Sequence, residues 1–175
     1  LKFSATSEDI AITDLRLKMD ITGSSTNANY DAVYIYDGAT LIKTMPTFNS
    51  DGFLDVTFNT SGAGSFVIPK DASKLMTIKA DLASIGVNQN GVGGQLLGID
   101  VSNTGYTTKQ KGQGTASGNS VVIETHSNTN GNGVRTFRGL PKVTLDSTLS
   151  GSAIAGSQDL IRFNVEALGG DIKIN

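Results

Sequence analysis

The chain has 175 residues, no cysteine and a formal charge of −2, set by 14 basic and 16 acidic side chains. This balance excludes a nucleic-acid binder, which needs a basic surface, and the lack of cysteine excludes disulfides and thiolate metal sites. Only 17% of the residues are charged whereas 21 are glycine; this composition is typical of secreted β proteins, so we expect an extracellular, cell-surface location.

The first long strand is predicted from the alternation of apolar and polar residues. Apolar side chains occupy every second position from Leu15 to Ile21, which indicates a strand with one buried and one solvated face. Ile10 and Ile12, just upstream, have the opposite parity. Because a change of parity requires an extra residue, we expect a bulge or bend near Thr13.

The next segment predicts a β-hairpin. Ala32 to Tyr36 has the pattern of a strand, and the turn pair Asp37-Gly38 follows it. A return strand then passes through Leu41 and Ile42. An Asp-Gly pair between two apolar runs is a strong short-range signal for a hairpin.

Strands continue to the end of the chain, separated by loops rich in glycine, asparagine and serine. No segment of ten or more residues has a helical period. We therefore predict an all-β fold, an Ig-like β-sandwich with Greek-key connections and long loops. The loops are predicted at 88–94, 112–119 and 127–133. The further strands are predicted at 54–58, 66–68, 76–82, 97–101, 121–125, 143–145 and 161–165.

Two stretches of the sequence resemble bacterial and archaeal Ig-like repeats of cell-surface proteins. The run from Ala32 to Thr44 resembles the central hairpin of such repeats, and Phe66 to Lys70 followed by Leu75 to Leu82 is similar to a later edge of the domain. These repeats form tandem arrays in adhesins, surface-layer proteins and filament subunits. The resemblance implies a scaffold or adhesive role at the cell surface.

The two ends of the chain resemble each other. Residues 1–5, Leu-Lys-Phe-Ser-Ala, align with residues 161–165, Ile-Arg-Phe-Asn-Val. After a two-residue insertion, residues 9–12 align with residues 171–174. One interpretation is that the C-terminal residues open another copy of the fold; the other is that any two amphipathic strands look alike.

The similarity of the ends predicts a sandwich of residues 1–159 and a C-terminal segment, 160–175, that belongs outside it. This segment is either the first strand of a following tandem domain or a donor strand inserted into a neighbouring copy. Both routes give an open, head-to-tail assembly; the alternative is that the segment completes its own sheet. The assembly strand is predicted to use five apolar side chains: Ile161, Phe163, Val165, Ile172 and Ile174.

No motif in the sequence selects a catalytic site, and we predict that the chain is not an enzyme. Its one histidine, His126, lacks the partners that nucleophilic catalysis or zinc binding requires. Calcium is the one metal that the sequence leaves open, because it takes carboxylate and loop carbonyl ligands. The candidate clusters are Glu8 and Asp9 with Asp14, and Asp51 with Asp55. The alternative is that these carboxylates lie on solvated turns. No other cofactor is expected.

The leading hypothesis for function is a structural subunit or repeat domain of a filament, stalk or surface layer. Its partners would be copies of itself or adjacent tandem domains. The alternative is an adhesive or carbohydrate-binding module, in which Tyr34 and Tyr36 form an exposed aromatic patch for a glycan. No apolar run approaches the roughly 20 residues that span a bilayer, so we expect no transmembrane segment. The start at Leu1 predicts a mature product or an excised fragment.

Overall fold

Antiparallel strands dominate the part of the chain that the computed structural model describes, which comprises residues 1–22, 26–124, 132–147, 155–157 and 159–173. The all-β prediction is therefore confirmed. These residues divide into two compact units, Leu1–Thr136 and Phe137–Asn175.

The strands alternate with turns along both units. A short helix, α1 (Tyr106–Lys109), and a 3₁₀ turn (Asn27–Asn29) interrupt the strands of the first unit. The strands of the first unit are β1 (Lys2–Ala5), β2 (Ile10–Thr22), β3 (Tyr30–Asp37), β4 (Thr40–Met45), β5 (Phe53–Thr57), β6 (Val67–Ile68), β7 (Ala72–Leu82), β8 (Leu96–Val101), β9 (Lys111–Gly114), β10 (Ser120–Val122) and β11 (Val134–Arg135). Those of the second unit are β12 (Leu140–Leu145) and β13 (Phe163–Leu168).

The strands of the first unit form two sheets. A four-stranded sheet has the order β1-β7-β3-β4, and a seven-stranded sheet has the order β10-β9-β2-β8-β11, with β5 and β6 also paired to β2. The long strand β2 is therefore the centre of the larger sheet, whereas β1 and β10 each end a sheet.

The two sheets bury their side chains in one hydrophobic core. Ile35 and Met76 enter it from the four-stranded sheet, and Leu15 and Leu17 enter it from the seven-stranded sheet. Each of these side chains is at most 1% exposed. Because a buried aliphatic or aromatic side chain contributes roughly 1.5–3 kcal/mol, the shared core holds the sheets together, an arrangement compatible with a β-sandwich.

The bulge in β2 lies where the change of parity in the sequence predicts it. The pairing of β2 with β9 shifts register between Ile12 and Asp14, so that Thr13 is the extra residue. The shift allows Ile12 and Leu15 to enter the same core, although they are three positions apart and would face opposite sides of a regular strand. The prediction of a bulge near Thr13 is confirmed.

The hairpin β3–β4 is also confirmed, with its turn one residue later than expected. Asp37 pairs with Thr40, which leaves Gly38 and Ala39 as the turn residues. Gly38 has a φ of 58°, a left-handed conformation that glycine adopts without steric cost. The hairpin presents Ile35 to the core and the neighbouring tyrosines to the outer face of the sheet.

The prediction of a loop over residues 112–119 is wrong at its start. Lys111–Gly114 forms β9 and pairs with β2. A Cβ atom at Gly112 would lie 2.7 Å from the Cγ2 atom of Ile10 and 3.0 Å from the carbonyl oxygen of Ala11. Glycine is therefore required by the close approach of the two strands, and a strand built on glycine has no apolar alternation to reveal it.

The division into units differs from the predicted boundary at residue 159. The first unit ends at Thr136 because β12 pairs with β13, which places both strands in the second unit. This division does not test whether residues 160–175 open a following repeat, and that stays a prediction. Among the residues that the structure describes, no helix has the length and apolar character needed to cross a membrane.

Candidate functional site

The second unit contains a two-stranded ribbon, defined here as β12 and β13. Its strands pair antiparallel from Leu140 opposite Leu168 to Leu145 opposite Phe163. Because side chains alternate between the two faces of a strand, this register sorts the ribbon into two unlike faces. One face, called the apolar face below, carries three cross-strand pairs: Pro141 with Ala167, Val143 with Val165, and Leu145 with Phe163.

The opposite face of the ribbon is mostly polar. Lys142 lies opposite Glu166, and the Lys142 ammonium lies 3.3 Å from a Glu166 carboxylate oxygen. Thr144 lies opposite Asn164 on the same face. An exposed ion pair of this kind contributes little stability, about 0–1 kcal/mol. The ion pair nevertheless indicates that this face of the ribbon is the solvated one.

The apolar face is exposed although it consists of side chains that favour burial. Val143 is 61% exposed, Leu145 72% and Phe163 54%. Among the described residues of its own unit, no further strand covers the ribbon. A two-stranded ribbon is at best marginally stable in water by itself, and exposed apolar patches of this kind mark interaction surfaces.

The residues predicted for the assembly strand divide between this face and its flanks. Phe163 and Val165 belong to the apolar face. Ile161 is exposed and precedes β13, whereas Ile172 is half-buried and follows it outside any strand. Ile174 lies outside the described residues. The assembly role of these five side chains stays a prediction.

Sequence reasoning missed the partner strand of this surface. Val143 and Leu145 were recognised as members of a strand, but nothing in the sequence showed that this strand pairs with β13. One usable signal is the opposite charge of Lys142 and Glu166, which oppose each other across the ribbon. It is weak because a single charge pair occurs often by chance.

The strand β1 has the same alternation that β13 shows. Phe3 and Ala5 are buried, whereas Lys2 and Ser4 are exposed. In the sequence alignment of the two ends, Phe3 and Ala5 correspond to the two residues that β13 places on the apolar face. The ribbon therefore exposes the side-chain pattern that β1 buries.

Tyr34 and Tyr36 lie on the outer face of the four-stranded sheet, both half-buried. The Tyr34 hydroxyl donates a hydrogen bond to the Asp81 carboxylate at 2.7 Å. This bond raises the pKa of Tyr34, because deprotonation would remove the donor and oppose the carboxylate charge. The ammonium of Lys79 lies 4.7 Å from the centroid of the Tyr36 ring. The two rings thus have polar neighbours on the same face of the sheet.

The acidic residues of the calcium prediction accept hydrogen bonds from different parts of the chain. Glu8 accepts from the Ser117 hydroxyl at 2.7 Å, Asp9 from the backbone N–H of Lys70 at 2.7 Å, and Asp14 from the hydroxyl of Thr13 at 2.9 Å. In the described ranges, no three acidic or histidine side chains come together as a metal-binding group. This geometry gives the calcium prediction no support.

His126 also lies outside the described residues, so the structure adds nothing to its assignment. Comparison of the chain with protein-family models, with curated proteins and with solved structures found no significant match.

Proposed function

We propose that this chain is a structural repeat domain of an extracellular or cell-surface assembly, such as a filament, stalk or surface layer. Copies or tandem domains are joined head-to-tail through the C-terminal ribbon. The observation that carries the proposal is the exposed apolar face of the ribbon, built on a strand whose alternation of apolar and polar residues resembles that of β1. The role is non-enzymatic.

The energetics of the apolar face favour a partner. Burying Val143, Leu145 and Phe163 contributes roughly 1.5–3 kcal/mol for each fully buried side chain. The entropy lost on association costs roughly 4–15 kcal/mol, which is of the same order. Burial of these three side chains therefore favours a complex together with further contacts, such as backbone pairing between strands.

The repeat of β1 in β13 favours a head-to-tail joint over a closed dimer. In the first unit, β1 lies at the edge of a sheet and turns Phe3 and Ala5 into the core. Because β12 pairs with β13, which resembles β1, β12 also suits the edge that β1 forms in a like domain. The ribbon and that edge are different surfaces, so the contact is heterologous and can repeat from copy to copy along a filament.

The composition and the fold class fit this role. Low charge, many glycines and antiparallel sheets around one core are common to extracellular β domains, and the Ig-like sandwich with Greek-key connections is the finer fold that we propose. Such domains supply rigid units of fixed length, which a stalk or layer requires.

Self-association of the full chain tests the proposal. We expect sedimentation velocity to show species that grow in size as the protein concentration rises. Leu145→Asp should leave a monomer, because the substitution places a charge on the apolar face. Thr144→Asp is the matched control, since it adds the same charge on the polar face of the same strand, and it should assemble like the parent chain.

Two results would contradict the proposal. A chain that remains monomeric at all concentrations has no head-to-tail joint. A dimer that does not grow further indicates an isologous contact instead.

A second candidate function is an adhesive or carbohydrate-binding module. It is favoured by the adjacent rings of Tyr34 and Tyr36, with Lys79 and Asp81 beside them on one sheet face. Binding of the chain to a glycan array, abolished by Tyr34→Ala and kept by Thr44→Ala on the neighbouring strand, would place this function first. An array without binding removes it.

A further inference from the structure

A groove runs beside β1 in the first unit. It has a volume of about 510 Å³ and is lined by residues 2–6 of the β1 region and residues 121–124 of the β10 region. Between them lie Ile10, Ile12 and Ile68. In the part of the chain that the structure describes, β1 pairs with β7 and otherwise forms a single bridge, from Ala5 to Lys70, while β10 pairs with β9 alone. From Lys2 to Ser4 the outer edge of β1 has no strand partner among the described residues. A groove that holds apolar side chains beside such an edge is the geometry that receives an added strand.

The backbone of β1 directs alternate residues toward its unpaired side. The N–H of Met76 donates to the carbonyl of Leu1 at 2.8 Å, and the amino group of Leu1 donates to the carbonyl of Met76 at 2.7 Å. Leu1 therefore points its backbone groups at β7. Because these groups alternate along an antiparallel strand, Lys2 and Ser4 direct theirs away from β7.

The ribbon shows which strand fits such an edge. In the alignment of the two ends, Arg162 corresponds to Lys2 and Asn164 corresponds to Ser4. The N–H of Asp146 donates to the carbonyl of Arg162 at 2.9 Å, so Arg162 directs its backbone groups at β12. The edge of β13 that β12 occupies is therefore the equivalent of the unpaired edge of β1.

We propose that the groove beside β1 binds the strand Leu140–Leu145 of a second copy of this chain. The inference rests on the proposed function and names the acceptor site of its head-to-tail joint. In the complex, Leu140–Leu145 leaves β13 of its own chain and pairs with β1 of the neighbouring copy. The sequence of β1 resembles that of β13. Backbone hydrogen bonds are conserved in this exchange, and the gain is the burial of apolar side chains in the groove.

The register of the ribbon, transferred to β1, places the apolar residues inside. Leu145 lies opposite Phe3, and Val143 lies opposite Ala5. Phe3 and Ala5 both face the core, so the incoming side chains meet the same inner face. There they lie beside the isoleucines that line the groove.

The same register places polar residues outside and brings opposite charges together. Thr144 lies opposite Ser4, and Asp146 lies opposite Lys2. Opposite charges on directly facing residues of neighbouring strands stabilise the pairing. The acceptor edge and the incoming strand are thus complementary in both side-chain pattern and charge.

Engineered thiols test this register, because the chain itself has no cysteine. The full-length Ser4→Cys variant is mixed with the full-length Thr144→Cys variant, and the mixed disulfide is identified by mass spectrometry. Both substitutions are small changes on solvated faces, and circular dichroism checks that both variants fold. Mixing Lys2→Cys with Thr144→Cys provides the matched control.

We expect the 4–144 disulfide to form about tenfold faster than the 2–144 disulfide, because a shift of two residues moves the thiols roughly 7 Å along the strand, beyond disulfide reach. This preference supports the groove as the acceptor site. Sedimentation of the reduced variants separates the other outcomes. Association without the 4–144 preference overturns the groove assignment and leaves the head-to-tail proposal on another surface. The absence of both association and cross-linking overturns both proposals.

Discussion

The side-chain amide of Gln110 hydrogen-bonds to both backbone groups of Arg16: its Oε1 atom accepts from the Arg16 N–H at 3.3 Å and its Nε2 atom donates to the Arg16 carbonyl at 3.0 Å. The Nε2 atom also donates to the carbonyl of Ser102 at 2.8 Å. Gln110 lies between β8 and β9, and it is completely buried. The Gln110 side chain thus supplies hydrogen bonds to β2 at Arg16, in the gap between the segments of β2 that pair with β8 and with β9.

We expect Gln110→Ala to lower the free energy of unfolding by about 3 kcal/mol, because it leaves buried backbone groups without partners and opens a cavity. Urea denaturation followed by circular dichroism measures the change. Gln113→Ala is the control, since its amide donates to the Gly118 carbonyl in an exposed turn, and it should cost only about 0.5 kcal/mol. Equal effects of the two variants would contradict a structural role for the Gln110 amide.

The ion pairs of Asp55 predict a pH dependence of stability. The guanidinium of Arg16 lies 2.6 Å from the Asp55 carboxylate and the ammonium of Lys109 lies 2.8 Å from it. The hydrogen bond from Arg16, followed by that from Lys109, lowers the pKa of Asp55 from 3.8 to about 2. Because the folded-state pKa lies below the unfolded-state value, this stabilisation is present above about pH 4 and is lost as the pH falls through 2.

Asp55→Asn should therefore lower the free energy of unfolding at pH 7 and leave it nearly unchanged at pH 2. The side chain of Asp55 is 42% exposed, so solvent screening reduces the effect to about 1 kcal/mol. Thermal unfolding of both chains between the two pH values measures the difference. Asp51→Asn, on the exposed turn before β5, should show no such convergence; a difference at Asp55 that persists at pH 2 argues against the ion pairs as its cause.

Glu8 is expected to order the turn that follows β9. Its carboxylate accepts hydrogen bonds from the Ser117 hydroxyl and from the backbone N–H groups of Ser117 and Ala116, which lower the pKa of Glu8. Glu8→Ala should speed hydrogen exchange of these two backbone amides, since they lose their acceptor. Asp14→Ala removes a carboxylate that accepts from Thr13 instead, and exchange at the turn should then stay at the parent rate. Unchanged exchange in Glu8→Ala would show that the turn orders itself.

A chain ending at Thr136 should fold by itself. The core cluster draws its buried side chains from Phe3 to Val101, all within the first unit. We expect residues 1–136 to unfold in one cooperative transition, at the same temperature as the first transition of the full chain, in differential scanning calorimetry. A cut after residue 159 should give the same result. Loss of cooperativity in the shorter chain would mean that the second unit contributes to folding of the first.

Features set by neighbouring residues were predicted well. The parity change before Leu15 indicated the bulge at Thr13, because side chains of a strand alternate by geometry and an extra residue is the way to reverse them. The Asp37-Gly38 pair indicated the hairpin, because glycine there adopts a left-handed conformation. Both predictions depend on covalent geometry within a few residues.

Features set by distant residues were not predicted. The strand β9 has glycines where a strand usually has apolar residues, and they are explained by the closeness of β2. In the sequence Gln110 is an ordinary polar residue. Its role depends on the gap between β8 and β9, where its amide bonds the backbone of Arg16. For the ribbon, two strands were recognised separately, but their pairing was not.

The sequence by itself determined which face is apolar in the strands that alternate, and that the two ends of the chain share a pattern, as Phe3 and Phe163 show. Only the tertiary structure decided which strands are neighbours, that β12 pairs with β13, and that β1 lies at the edge of its sheet. The physical reason is that side chains, which differ between residues, select the face that is buried. Backbone hydrogen bonds, which nearly every residue makes alike, join the strands and leave no record of the partner in the sequence.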